Sequence, residues 1–493
     1  TLPAHKQKPD RASIVMTSTL TATKSLILDN ADKMAGRRAQ WRQKAAFFHE
    51  EDNRFLRFVI PQGSRVLEIG CGIGDTLAAL KPSRGVGLDF SSGMIDEARM
   101  RHPGLEFHVG DAEDPAAISA IEGPFDFIVV IDTVGFLDDI QGFFELLHPL
   151  CTRETRLVVG YFSHLWLPLL KLAERTGARM PAPSANIISQ ADLRAFAELA
   201  NFDPVKSESR LLSPARLLGL GRFVNRFISP LPLIRHLALR HYMVARSTVQ
   251  KNDGLRSATI VIPARNERGN IEPAIQRIPR FCDDIEIIYI EGNSKDNTYE
   301  ECLRVQAAYP QHDIKVMKQP GKGKADAVFT AFDVARGDVL MILDADLTMP
   351  PEKLPKFWEA IRSGQGEYIN GSRLVYPMED DAMRFLNLIA NRTFSILFSW
   401  LLNQRYTDTL CGTKVMRRTD YLRLKQGRAY FGDFDPFGDF DLIFGAAKLS
   451  LKSVDMPVRY AARTYGETQI SRFRHGWMLL KMVVFAFFKI KAL

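Results

Sequence analysis

Cysteine is scarce and unpatterned in this 493-residue chain: five residues, Cys71, Cys151, Cys282, Cys302 and Cys411, with no Cys-x-x-Cys spacing. An odd, scattered set excludes a disulfide framework or a cysteine-built zinc site as the organising device, and it reads as a reducing compartment. No apolar run reaches the roughly 18 residues of a spanning helix. The longest greasy stretch, Trp477–Phe488, is broken by Lys481 and reads as a segment lying on a membrane, with a truncated membrane tail left open. No basic block is interleaved with aromatics, so nucleic acid is not an expected partner. The polar opening from Thr1 carries no secretory-signal pattern, and the missing initiator Met reads as a processed or engineered start. Internal repeats and low-complexity segments are also absent.

What is present is ordinary globular material, 46% hydrophobic and 25% charged, with a formal charge of +8. That surplus suits either solubility or attraction to anionic membranes and phosphorylated substrates. After a helical stretch whose apolar face holds Trp41, Phe47, Phe48, Phe55 and Phe58, short apolar segments recur at Arg65–Ile69, Gly85–Asp89, Glu106–Val109, Phe125–Ile131 and Arg156–Tyr161. Helical segments lie between them, which predicts a parallel, doubly wound sheet. Residues 211–240 differ: Leu, Ile and Phe dominate, Arg recurs at 216, 222, 226, 235 and 240, and Pro230 and Pro232 split the segment into two short helices. This is either a helical insertion with snorkelling arginines or an interfacial patch. His241–Thr248 closes the first half, which spans 1–248; residues 249–256, with Asn-Asp-Gly, read as a linker. A second alternation begins at Ala258–Ile262 and runs over 257–475, followed by a membrane-associating helix at 476–493. The fold class is therefore α/β, with two doubly wound domains.

In the first half a strand runs through Glu68 into Gly70, Gly72 and Gly74 and then into a helix, so backbone can approach a ligand closely beside oriented amides. Glycines alone are weak evidence. Glu68 adds an acceptor for an ammonium group, Asp89 ends the next strand where an acid grips ribose hydroxyls, and Asp111 ends the third strand where it would meet an adenine amine. This ordered set resembles the class I methyltransferases over roughly residues 40–248. The likeness implies S-adenosylmethionine as cofactor, held by Glu68, Gly70, Gly72, Gly74, Asp89, Asp111 and Asp132. Direct attack on the sulfonium methyl would then be driven by proximity. His148 and His164 are the nearest candidates for a base, although a lone His is more often structural.

The second half places polar residues at strand ends: Pro263-Ala-Arg265-Asn-Glu267, Glu291, Gly321-Lys322-Gly-Lys-Ala-Asp326 before a helix, and Asp344-Ala-Asp346 after Val339–Leu343. All fall on the carboxyl edge of a parallel sheet, where α/β proteins bind ligands. Asp344 and Asp346, alternate strand-end residues, would hold a hard divalent cation beside a diphosphate. The glycine-lysine segment lacks P-loop spacing.

This half resembles the inverting family 2 glycosyltransferases of GT-A fold over about residues 256–475, and within them the dolichyl- or polyprenyl-phosphate hexose synthases. Gly371-Ser-Arg373, Asn387, Asn391-Arg392, Asp408-Thr-Leu-Cys-Gly412 and Lys414 continue the match, while Glu291-Gly292 replaces the double Asp frequent in that family. The resemblance implies that Pro263, Arg265, Glu267, Glu291, Lys322 and Asp326 cradle a nucleotide-sugar, and that Asp344 and Asp346 hold Mg²⁺ or Mn²⁺. Arg373, Arg392 and Asn387 would meet the acceptor phosphate, and Arg463, Arg472 and Arg474 would close over the donor. It also favours an interfacial helix at Phe385–Leu402. A polyprenyl phosphate is already anionic. A saccharide hydroxyl, the alternative acceptor, would need a base, for which Asp439 and Asp441 are the candidates. The first half would then methylate the glycan or serve as a binding module. The expected place is the cytoplasmic face of a membrane, bound peripherally.

Overall fold

In a computed structural model the described residues are 20–183, 185–250, 254–376, 385–430, 439–461, 463, 465 and 472–493; the side chains of 385–387, 429, 439 and 472–475 lie outside the description. Two seven-stranded sheets carry the fold. The first holds β1 (Arg65–Ile69), β2 (Arg84–Asp89), β3 (Glu106–Val109), β4 (Phe125–Ile131), β5 (Cys151–Phe162), β6 (Phe202–Arg210) and β7 (Arg240–Ser247), in the order β3-β2-β1-β4-β5-β7-β6. The second holds β8 (Ser257–Ala264), β9 (Asp284–Glu291), β10 (Asp313–Lys318), β11 (Val339–Ile342), β12 (Tyr368–Ser372), β13 (Lys414–Arg417) and β14 (Ser453–Pro457), in the order β10-β9-β8-β11-β13-β12-β14.

Both sheets are doubly wound as expected, and each adds one antiparallel strand to its parallel ones. β7 runs against β5 and β6, and β13 runs against β11 and β12. The central strands are apolar on both faces because helices cover both sides; Val66, Leu67 and Ile69 in β1, and Ile260, Val261 and Ile262 in β8, are all buried. Strand order reverses between β1 and β4 and again between β8 and β11. Each reversal is a switch point, the place at the carboxyl ends where α/β sheets bind ligands.

Sequence alone suggests two bodies joined by a linker. Instead they share a charged, buried seam. Arg156, fully buried on β5, donates from Nη2 to both Glu367 oxygens at 2.9 and 2.8 Å, and from Nε to the Ser450 carbonyl at 2.8 Å. Arg153 pairs with Asp420 at 2.7 Å, Arg246 lies 3.8 Å from Glu367, and Lys491 pairs with Glu208 at 2.9 Å. Burial alone would raise the Glu367 carboxyl, but the guanidiniums of Arg156, Arg246 and Arg153 outweigh it and hold it down at about 2.

The apolar ends of the chain are structural as well as superficial. The helix Arg472–Ala486, continued by Phe487–Lys491, buries Leu479, Met482, Val483, Ala486 and Ile490 in the second core, so the segment from 476 belongs to that domain rather than standing apart. Residues 211–240 form short helical turns on either side of Pro230 and Pro232. Among the described residues, no helix is long and apolar enough to cross a membrane.

Candidate active sites

At the carboxyl edge of the first sheet, β1 ends in a loop whose Gly70, Gly72 and Gly74 all have positive φ, between 52° and 75°. A side chain at Gly70 would run into Thr133 at the end of β4, whereas one at Gly72 would meet nothing within 4 Å. The first glycine therefore permits strand approach and the second leaves a cradle open. Asp89 holds that loop: its Oδ2 accepts from Gly72 N at 2.8 Å and its Oδ1 from Ser91 N at 3.0 Å. Glu68 is buried with Oε2 unpartnered, and burial pushes its carboxyl up to about 8. An orphaned buried acceptor beside an open cradle fits a cationic ligand group.

The helix Ala22–Lys44 lies across this edge. Lys24 donates to Asp111 at 2.5 Å, Asp32 accepts from Ser91 at 2.5 Å, and Arg42 pairs with Asp75 at 3.1 Å. Asp111 is thus covered by Lys24 rather than open. Asp132, at φ 56°, pairs with Arg240, which is itself buried and bridges back to Asp52 at 3.1 Å. Lys24 and Arg42 carried no motif, and Arg240, last of the arginines that recur through 211–240, is buried rather than snorkelling; all three meet the site only through the fold. His148 is corrected as a base: it stacks on Phe202, its Nδ1 lies 2.8 Å from Ser247 Oγ and its Nε2 2.7 Å from the Ala200 carbonyl, which is a structural role. His164 follows β5 on the carboxyl side and is exposed.

The second edge gathers its acids more tightly. Asp344 and Asp346 follow β11, and each meets a cation: Lys324 Nζ lies 2.7 Å from Asp344 Oδ1 and Arg463 Nη2 2.6 Å from Asp346 Oδ2. Burial would raise Asp344, but Lys324, then Lys414 and Arg373, outweigh it and hold its carboxyl below the usual range. Arg463 also reaches Glu267 at 3.2 Å, so the ends of β8 and β11 converge on one guanidinium. Burial pushes the Glu267 carboxyl up to about 7. A side chain at Gly412 would run into Asp344 and Lys324; glycine there lets the 408–412 loop close on the carboxylate. Among the described residues no three His, Cys, Asp or Glu form a metal cage. Asp344 and Asp346 are the acids at this edge that would hold a divalent cation beside a diphosphate.

Several expected residues are placed differently. Lys322 is exposed before the helix Gly323–Val334, and it is Lys324, one step into that helix, that reaches Asp344. Asp326 accepts from Gly321 N at 2.8 Å and shapes the turn. Glu291, buried at the end of β9, accepts from Ser294 N at 2.5 Å, and Pro263 lies in β8 opposite Ile290, with Arg265 just beyond the strand. Arg373 is corrected as an open phosphate fork: Nε and Nη2 grip buried Asp408 at 2.6 and 2.9 Å. Asp441 is buried and paired with Arg428 at 3.2 Å. Arg392 is exposed on the helix Phe385–Leu402. The side chains of Asn387, Asp439, Arg472 and Arg474 lie outside the described residues.

Each half of the chain is similar to a known family over part of its length. The profile described as "Methyltransferase domain" matches residues 37–207, and "Glycosyl transferase family 2" matches 259–424. Dolichol-phosphate mannosyltransferase from Pyrococcus furiosus is 39% identical over 119 residues, 24% of this chain and 33% of that protein. Undecaprenyl-phosphate 4-deoxy-4-formamido-L-arabinose transferase from Pectobacterium carotovorum is 25% identical over 223 residues, 44% of this chain and 64% of that protein. The chain thus spans between a third and just under two thirds of the length of these curated relatives. A solved methyltransferase from Thermotoga maritima, described as a SAM-dependent methyltransferase, is 18% identical, covers 45% of this chain and 100% of its own, and superposes with a TM-score of 0.36.

Proposed function

Because this chain joins a methyltransferase domain to a family 2 glycosyltransferase domain, we infer that it is a bifunctional transferase. Its second half moves a sugar from a nucleotide-sugar to a polyprenyl phosphate, and its first half uses S-adenosylmethionine. The observation that carries the reading is the pairing of Asp344 with Lys324 and of Asp346 with Arg463 at one crevice. Two acids and two cations at a strand switch point suit a diphosphate, and the curated relatives are named for dolichol- and undecaprenyl-phosphate transfer.

Asp344 and Asp346 would hold a divalent metal, which supplies positive charge to the departing diphosphate. Lys324 and Arg463 then turn from the carboxylates to phosphate oxygens, delivering charge where it develops. Glu267 keeps Arg463 over the donor side. The acceptor's phosphate oxygen attacks the anomeric carbon, the bond to the nucleoside diphosphate breaks with its electron pair, and the configuration inverts. No proton needs to move, because the acceptor is already an anion. The buried pairing of Asp441 with Arg428 is consistent with a reaction that asks no base of it. In the first half, Glu68 offers an acceptor for the cofactor's ammonium and the Gly72 cradle leaves room for it. The place of action is the cytoplasmic membrane face.

The test is to incubate the protein with sugar nucleotides, polyprenyl phosphate and Mg²⁺ or Mn²⁺ and to measure released nucleoside diphosphate. Turnover that requires a saccharide and ignores lipid phosphate would overturn the acceptor assignment.

A further inference from the structure

Three segments of this chain contain no Asp or Glu: 211–240 in the first domain, and 385–402 and 472–493 in the second. The fold brings all three together. Trp400 Nε1 donates to the Pro230 carbonyl at 2.8 Å, the Phe227 ring lies 6.2 Å from that of Phe488 and 6.4 Å from that of Phe487, and Trp400 lies 5.9 Å from Phe487. Phe227 in turn contacts Phe223 at 5.2 Å. Beside the charged seam, the two domains therefore also meet through aromatic contacts.

Around these contacts the large apolar side chains face outward. From the first domain these are Leu217, Leu218, Leu220, Phe223, Leu233 and Leu237, with Leu218 and Leu233 the most open at 108% and 86% exposure. From the second they are Trp477, Leu480, Val484 and Phe488, spaced along one side of the terminal helix whose other side is buried. Large apolar side chains exposed on segments that touch one another mark an interaction surface. The charged residues within these segments are all basic, among them Arg216, Arg222, Arg235, Lys481 and Lys489. Glu50, on the neighbouring helix Ala46–Val59, answers Arg216 and Arg222 at 3.1 and 2.6 Å, and Arg235 donates to Asn403 at 3.3 Å. Greasy side chains rimmed by cations, with acids excluded from all three segments, are complementary to an anionic bilayer surface.

The position is as informative as the chemistry. Register pairs Arg210 with Arg240, and Phe162 with Arg240, so both ends of the 211–240 segment leave the sheet at the carboxyl end of β5. That is the edge carrying Glu68, Asp89 and Asp132, and Arg240 itself pairs with Asp132. We propose that the two domains dock on one anionic bilayer through this shared surface. The methyltransferase edge then faces the membrane, and its methyl acceptor is a lipid-borne molecule. The proposal shares with the proposed function the premise of a membrane-facing enzyme, but it rests on the first domain's segment.

The test is flotation of the full chain with vesicles of phosphatidylcholine alone and with phosphatidylglycerol added, for wild type and for the double variant L218E/L233E. Both positions are exposed, so folding is checked by the melting temperature. Nucleoside diphosphate release with detergent-dispersed polyprenyl phosphate is measured in parallel. Wild type is expected to float with the anionic vesicles, and the double variant to lose at least about tenfold in partitioning while keeping its melting temperature and its detergent-phase turnover. A double variant that floats like wild type overturns the proposal, as does wild type that stays in solution. Absent turnover with intact flotation would instead sink the glycosyl-acceptor assignment and leave the docking surface standing.

Discussion

Glu367→Ala tests the seam between the domains. The substitution leaves Arg156 fully buried and, among the described residues, without a carboxylate partner, and it removes the acid that Arg246 and Arg153 also face. Removing one partner of a buried pair costs about 3–5 kcal/mol, because the surviving charge is left uncompensated in a poorly polarisable interior. Unfolding entropy of about 2.1 cal/mol/K per residue, summed over 493 residues, gives about 1 kcal/mol/K for a single cooperative transition, so the melting temperature should fall by about 4 °C. If the seam is what makes the domains melt together, the variant should also show two resolved transitions by calorimetry. The pH dependence has a definite sign. Glu367 is depressed from 4.5 to about 2, so its contribution is complete above 4.5 and is lost as pH falls from there towards 2. The gap between wild type and variant should close over that same window. Glu367→Gln keeps the shape and removes the charge, and should behave nearly as badly as Ala. A variant that melts within about 1 °C of wild type at neutral pH would refute the reasoning, since the arginines would then be satisfied without the acid.

Asp344→Asn should abolish nucleoside diphosphate release while leaving S-adenosylmethionine affinity, measured by calorimetry, unchanged; loss of both would show that the sites are not separate. Lys324→Ala removes a charge-assisted hydrogen bond of about 1.5–3 kcal/mol, so kcat/KM for the sugar nucleotide should fall roughly ten- to hundredfold, whereas Lys322→Ala should stay near wild type. Glu68→Gln should weaken S-adenosylmethionine binding yet stabilise the ligand-free protein at high pH. The buried carboxyl is raised to about 8, so its ionisation opposes folding: wild type loses stability as pH rises from 4.5 through 8, and the variant should not. A Glu68→Gln melting curve that tracks wild type across that range would count against the burial argument.

Much of the layout of the two sheet edges was legible because it is local. Strand-to-turn junctions such as Glu68–Gly74 and Val339–Asp346 announce themselves through a short apolar run followed by glycines or acids, and the carboxyl edge follows from any α/β alternation. The strands that escaped notice lack that contrast. β6 alternates polar residues with Pro204, and β12 contains Asn370 and Gly371, so neither reads as a strand until a neighbour supplies its hydrogen bonds. Likewise Lys322 and Lys324 are indistinguishable on paper; where the helix Gly323–Val334 begins decides which one points at Asp344.

What the sequence by itself determined is the pair of candidate sites, since glycine loops and carboxylate pairs are built from residues close in the chain. What the tertiary structure decided is how those residues are spent. Arg373 looked like a phosphate fork until Asp408, 35 positions away, was found gripping it. His148 looked like a base until Phe202 and Ser247 closed around it. Arg156 carried no signal at all, yet it binds Glu367 across 211 positions and locks one sheet to the other. The physical reason is common to all three. A charge or a ring nitrogen taken out of water must find a partner, and which partner it finds depends on distances in space that no spacing along the chain encodes.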